Sequence, residues 1–217
     1  MMSFHRSKII LTLITGFVLL VSACQQPQNT ANRSNKQTSS DENLDVAIFA
    51  GGCFWCTESD FDKLPGVTST TSGYIGGTVI NPTYKQVVTG KTGHVEAVKI
   101  QFDKTLISYA ELLDAFWPTI DPVFVGGQFC DIGPQYRSAI FYLNPEQKVL
   151  AEASKQALED SGRFDQPIVT VILPATEFYA AEDYHQDYYL KNPLRYSYYR
   201  NNCGRDERLQ QLWGTDH

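Results

Sequence analysis

Apolar positions along the chain fall into three regimes. One unbroken block lies near the start, a stretch almost without them follows, and from Asp45 onward come short runs with periods of two and of about 3.6. In the third regime Val46 to Ala50 is a continuous apolar run ended by Gly51-Gly52, which predicts a buried strand entering a tight turn. Cys53 to Phe61 suits a helix. From His94 to Asp103, Val98, Ile100 and Phe102 alternate with Lys99, Gln101 and Asp103, the pattern of a half-buried strand. Ser108 with Glu111 forms a capping box that opens a helix carrying Leu112, Leu113, Phe116 and Trp117 on one face and stopped by Pro118. Ser138 to Leu143 predicts a strand. Asn144-Pro145 starts a helix to about Ser161, closed by Gly162, and the β-branched Ile168 to Leu173 predicts a further strand. Helical patches near Ala180 to Leu190 and Asp206 to Leu212 complete the chain. Strands and helices intermingle without regular βα alternation and no internal repeat is visible. The expected fold is therefore a single α+β domain, a mixed sheet covered by helices.

The first two regimes predict delivery rather than fold. Residues 1 to 23 carry Arg6 and Lys8, an apolar run of 13 residues from Ile9 to Val21, and small residues before Cys24, which together read as an export signal. The stretch Val21-Ser22-Ala23-Cys24 resembles the lipobox of bacterial lipoproteins, which are cut before the cysteine and carry lipid on it. That resemblance implies a lipid anchor on Cys24 and a place in the bacterial cell envelope, facing the periplasm or the exterior. Residues 24 to 44 contain almost no apolar side chain after Cys24 and predict a flexible tether, because nothing there offsets the entropy of ordering. The folded domain is then expected to span residues 45 to 217.

Charge removes one class of partner. Eighteen Lys and Arg stand against 24 Asp and Glu, a formal net charge of −6, with no basic block, so a nucleic-acid partner is not expected. Five cysteines in 217 residues are too few for a disulfide-built scaffold, and each must be judged by its surroundings. Cys53 sits where a strand, a glycine turn and a helix N-terminus meet. Free amides and the helix dipole there should lower a thiol's pKa, making Cys53 a candidate nucleophile.

Beyond this point the sequence resembles a known family. GCFW at 52–55, GYIGG at 73–77, NPTY at 81–84, TGHVEAV at 92–98, the run from Asp131 to Ser138 and AEDYHQ at 181–186 occur in the order found in A-type peptide methionine sulfoxide reductases. The resemblance implies a two-layer α/β sandwich of ferredoxin-like type. It also implies thiol-dependent reduction of methionine S-sulfoxide, free or in proteins, through a sulfenic acid on Cys53 and a disulfide that a thioredoxin-like donor reduces again. By the same resemblance Glu96 is the acid at the sulfoxide oxygen, Tyr84 and Tyr136 are hydroxyl donors beside it, and Asp131 is a second carboxylate that orients the substrate. Phe54 and Trp55 form the apolar wall for the methyl group. No cofactor and no metal is implied. His94 and His185 lie in motifs of a metal-free family and lack paired ligand spacing.

The chain departs from the common pattern at Cys56, where Gly is usual, at Cys130, where Asn is usual, and in the tail around Cys203. With Cys24 and Cys53 assigned, Cys203, Cys56 and Cys130 remain to resolve the sulfenic acid. Cys203 is preferred because a tail can swing to the site without disturbing it, while Cys56 has the spacing of Cys-x-x-Cys redox enzymes and Cys130 adjoins Asp131. The rival readings are a general thiol-disulfide oxidoreductase using Cys53 and Cys56, which would not need Glu96, and a lipid-anchored protein that binds oxidised methionine without turnover.

Overall fold

The structure is a computed structural model that describes residues 42–214; the expected export signal, Cys24 and most of the expected tether lie outside the described residues. A six-stranded sheet forms from β1 (Leu44–Ala50), β2 (Val67–Ile75), β3 (Val95–Asp103), β6 (Ala139–Tyr142), β7 (Val171–Pro174) and β8 (Tyr179–Ala180), in the order β7-β6-β1-β3-β2-β8. A separate hairpin pairs β4 (Gly127–Gln128) with β5 (Asp131–Ile132). All neighbours in the large sheet are antiparallel except β6 and β7. Its four inner strands run β6-β1-β3-β2, with β3 inserted between the two strands that α1 (Phe54–Phe61) connects. This is the split βαβ arrangement of ferredoxin-like sheets.

The strand period of two divides the core. Ala47 and Phe49 of β1, with Val98, Ile100 and Phe102 of β3, face α1 and α3 (Tyr109–Phe116), where Phe49 stacks on Phe116 at 4.8 Å and meets Phe61 at 5.4 Å between centroids. Each such fully buried ring contributes roughly 2 to 3 kcal/mol by removal from water. Ile48, Ala50, Val95, Ala97 and Phe141 point to the opposite face, which Leu173, Ala175 and Phe178 cover. Glu96 has the parity of Val98 and Ile100, so the alternation that buries the core also carries this carboxylate under α1.

Local signals hold where side chains cap the backbone. Ser108 Oγ accepts from the Glu111 amide at 3.2 Å while Glu111 Oε2 accepts from the Ser108 amide at 2.8 Å, and α3 starts there. The helix α4 (Pro145–Asp160) opens with Asn144 Oδ1 accepting from the Gln147 amide at 2.9 Å and ends before Gly162.

Tertiary demands override the pattern elsewhere. Val67–Ile75 reads VTSTTSGYI, too polar to predict a strand, yet it forms β2 because β3 and β8 flank it on both edges. The expected strand at Ile168 begins only at Val171, since the Val169 amide donates to Pro122 O at 2.8 Å and Thr170 binds Ser138 and Lys155. Of the helix expected over Ala180 to Leu190 only α5 (Tyr188–Lys191) forms; Gln186 instead spends its side chain on both backbone groups of Ser72. The tail folds as α6 (Pro193–Asn202), opened by Pro193, and α7 (Arg205–Trp213). A short α2 (Tyr84–Val87) completes the elements.

Candidate active site

Cys53 is the N-cap of α1, and its carbonyl accepts from the Cys56 amide at 3.1 Å and the Thr57 amide at 3.3 Å. The turn that delivers it needs glycine. Gly52 has φ 88°, and a Cβ there would lie 2.6 Å from Cβ of Gln128, whose amide is locked to the backbone of Asp121 by two bonds of 2.8 Å. The first free amide of α1, that of Phe54, donates to Glu96 Oε2 at 3.0 Å.

Around this junction lies a cavity of about 60 Å³ lined by Cys53, Phe54, Trp55, Tyr84, Glu96, Asp131 and Tyr136, joined by Tyr199 of α6. The structure thus brings together at one point the seven residues named from the motifs for the chemical step, from four separate stretches of chain. Larger clefts elsewhere on the surface contain none of them. Trp55 is fixed on three sides: its Nε1 donates to His185 Nδ1 at 3.1 Å, its ring stacks on Tyr188 at 3.7 Å, and Tyr199 meets it edge-on at 5.7 Å. Tyr199 also donates its hydroxyl to Asp131 Oδ2. His185, whose pKa burial holds below the usual value, therefore serves as a neutral acceptor. His94 has both ring nitrogens engaged, with the Gly77 amide at 3.1 Å and the Val79 carbonyl at 2.8 Å.

Burial dominates the electrostatics. Glu96 is 2% exposed, and burial, opposed by the Phe54 amide and reinforced by Asp131, raises its pKa to about 8. At neutral pH it is a protonated acid. The Tyr84 phenol is pushed up to about 12 and that of Tyr136 is raised further, both chiefly by burial, so both remain hydroxyl donors. Burial also raises Asp131, opposed by the Tyr199 hydroxyl and Arg205.

The thiols differ from expectation. Cys53 is raised well above the usual thiol range, by burial first and then by its hydrogen bond with Cys56 and by the carboxylates of Glu96 and Asp131. Burial outweighs the help expected from the helix N-terminus, whose first amide, that of Phe54, donates to Glu96. Cys56 is shifted the other way: the hydrogen bond from Cys53, aided by Arg205 and Arg200, outweighs its burial. The two neighbouring thiols are thus pushed in opposite directions.

Cys203 is not free to swing to Cys53, because it is joined to Cys130 in a disulfide with a Cα–Cα distance of 5.0 Å. Cys203 ends α6 beside the β4-β5 turn, and Phe129 at φ 56° turns Cys130 toward it. Asp131 lies next to these two sulfurs, yet neither is available as a metal ligand while they are bonded to each other. Cys53 and Cys56 are the free cysteines among the described residues. Tyr199, Tyr188 and Arg205 escaped the sequence reading. The one signal for Tyr199 was Cys203, four positions later and on the same helical face.

A buried thiol facing a protonated carboxyl across a small, aromatic-walled cavity defines a thiol enzyme that can donate a proton to a substrate oxygen. The peptide methionine sulfoxide reductase family pattern covers residues 45–217, and the chain belongs to that family. It is 55% identical over 174 residues to "Peptide methionine sulfoxide reductase MsrA" of Halalkalibacterium halodurans, which spans 80% of this chain and 99% of that one. The fold is similar to methionine sulfoxide reductase A of Corynebacterium diphtheriae, with a TM-score of 0.62, 36% identity and coverage of 70% and 76% of the two chains. It is also similar to reduced Mxr1 of Saccharomyces cerevisiae, with a TM-score of 0.66, 31% identity and coverage of 70% and 87%. The protein is an oxidoreductase of the A type that reduces methionine sulfoxide by thiol chemistry.

Proposed function

We propose that catalysis runs as a two-thiol cycle confined to Cys53 and Cys56 and acts on the S epimer of methionine sulfoxide, free or in proteins. The observation that carries this is the shared cavity: protonated Glu96 and the Cys53 thiol face one small space, and Cys56 is the free thiol packed in the same buried cluster as Cys53, its amide bonded to the Cys53 carbonyl. The sulfoxide oxygen sits toward Glu96, Tyr84 and Tyr136, and the methyl group lies against Phe54 and Trp55. Asp131, held by Tyr199, orients the substrate from the tail side. Cys53 passes its proton to the Cys56 thiolate and attacks sulfur, while Glu96 protonates the oxygen. The bond formed between the Cys53 and substrate sulfurs then breaks together with the sulfur–oxygen bond of the sulfoxide as the hydroxyl passes to the Cys53 sulfur. Methionine thus leaves reduced by two electrons, and Cys53 is left oxidised by two as a sulfenic acid. Cys56 then displaces that oxygen as water and closes a Cys53–Cys56 disulfide. A thioredoxin-like dithiol restores both thiols and takes up the disulfide.

A general thiol-disulfide oxidoreductase would have no use for Glu96 or for the methyl-sized cavity. The deciding experiment supplies each sulfoxide epimer in turn and maps disulfides after one turnover without reductant. Methionine from the S epimer only, with a Cys53–Cys56 peptide pair and an intact Cys130–Cys203, is expected. A Cys53–Cys203 pair would move the second step to the tail, and failure to turn over either epimer would sink the cycle altogether.

The same proposal places the enzyme on the outer side of a bacterial membrane, with lipid on Cys24 and residues 25–44 as its tether. The basic start, the apolar run and the small residues before Cys24 support this reading. One acyl chain holds weakly and stable anchoring takes more than one, which the lipoprotein type of modification supplies. Recovery of full-length chain in the soluble fraction with an unmodified Cys24 would refute it.

A further inference from the structure

Arg205 opens α7 and is 1% exposed, the largest fully buried side chain among the described residues. Its Nη2 donates to Gly51 O at 3.0 Å and Thr119 O at 2.8 Å, and the Phe129 ring lies 4.5 Å from the guanidinium. Its Nε and Nη1 have no hydrogen-bond partner among the described residues. Neighbouring arginines are satisfied differently: Arg200 binds Asp60 and Asp206, and Arg208 binds Asp121, each at 2.8 Å. Arg205 makes no such carboxylate pair among the described residues, although a buried cation without a nearby anion is costly.

Its unpartnered side faces the cysteine turn. Nη1 lies 3.8 Å from where a Cβ on Gly52 would sit, one residue before Cys53. Arg205 also opposes the effect of burial on the Asp131 carboxyl, but Asp131 is already held by Tyr199, and the anion that the second half of the reaction needs here is a thiolate. We infer that Arg205 is a positioning residue for the second half of the cycle, its buried guanidinium serving as the standing counter-charge that keeps Cys56 ready to attack the Cys53 sulfenic acid. The inference rests on the assignment of Cys56 as the second thiol. Cys56 is the thiol whose pKa Arg205 lowers, with Arg200 adding to it and Asp60 opposing it.

The other groups around the pair supply less of this charge, Arg200 coming second to Arg205. Cys53 and Asp60 belong to the same turn and helix, Glu96 on β3 is protonated at neutral pH, and Asp131 on β5 is an acid held by Tyr199. From α6, Tyr196 packs against the cysteines and accepts from Arg200 Nη1 at 3.0 Å, while Arg200 is already neutralised by its two carboxylates. The Cys130–Cys203 disulfide ends α6 immediately before Gly204 and Arg205. It thereby anchors the segment from which the guanidinium enters, without exchanging with the catalytic thiols.

Alkylation of the full chain by iodoacetamide as a function of pH, read on the Cys56 peptide in a Cys53→Ser background, tests this directly. Serine keeps a hydrogen-bond donor beside Cys56. The half-alkylation pH is expected below the ordinary thiol value, to rise by roughly one unit or more in Arg205→Gln, and to stay low in Arg205→Lys. With Cys53 restored, Arg205→Gln should release one equivalent of methionine yet close the Cys53–Cys56 disulfide at least about tenfold more slowly, so that dimedone traps the sulfenic acid. An unchanged alkylation profile in a cooperatively folded Arg205→Gln chain overturns the inference. So does an ordinary thiol value in the parent carrying Arg205, a comparison that stands even where Gln prevents folding. Absence of the Cys53–Cys56 disulfide in the otherwise unaltered enzyme would instead overturn the assignment of Cys56 while leaving the alkylation result to be read separately.

Discussion

Replacing Glu96 by Gln should make the protein more stable and much less active, and both effects follow from one buried proton. The carboxyl has an ordinary value of 4.5 when unfolded and about 8 when folded. Below pH about 4.5 both states hold the proton and the residue has no pH-dependent effect. Between the two values the unfolded chain ionises while the folded chain does not, so ionisation favours unfolding and stability falls as pH rises, by about 1.4 kcal/mol per unit. At pH 7 this amounts to about 3 kcal/mol, and the cost stops growing once pH passes the folded value. Glutamine keeps the acceptor for the Phe54 amide and cannot ionise, so it removes the cost. Urea unfolding of both proteins from pH 4.5 to 8 should show the variant pulling ahead as pH rises. It should also lose about 10² to 10⁴ in rate for want of a transferable proton, while the unsubstituted enzyme loses activity as pH climbs through about 8. Equal stabilities across that range, or a gap already full at pH 4.5, would refute the assignment of a neutral buried acid; unchanged turnover would place Glu96 outside the reaction.

Cys53→Ser is expected to abolish reduction, Cys56→Ser to release one equivalent of methionine and stall, and Cys203→Ser to sustain repeated turnover; rapid quench with methionine quantification checks all three. Tyr199→Phe removes the hydroxyl that binds Asp131 and should lower kcat/KM by roughly tenfold with the melting temperature little changed, because the ring that meets Trp55 remains. In Gly52→Ala, the left-handed backbone and the approach to Gln128 Cβ at 2.6 Å together should cost about 2 to 4 kcal/mol in a urea melt, and a smaller loss would mean the turn relaxes.

Short-range physics was legible in the chain. Apolar alternation along β1 and β3, the Ser108-Glu111 box and the Asn144-Pro145 start each depend on residues within a turn or a strand of one another, so they can be read without knowing the fold. The residues gathered round the small cavity were named from motif resemblance, and it was that resemblance, not the strand pattern, that singled out Glu96.

What contact across long separations decides was not legible. The polar strand β2 exists because β3 and β8 satisfy its backbone, and residues 179–187 pair with β2 and fold back instead of forming a helix for the same reason. Neither the charge of a thiol nor the partner of a cysteine is a local property. Cys53 is pushed up by burial and by a carboxyl 43 positions away, and Cys203 meets Cys130 across 73 residues. Arg205 reaches the cysteine turn from the far end of the chain. A sequence shows which groups are present, whereas burial sets their protonation, and burial is decided only when the sheet, α1 and the tail helices close on one another.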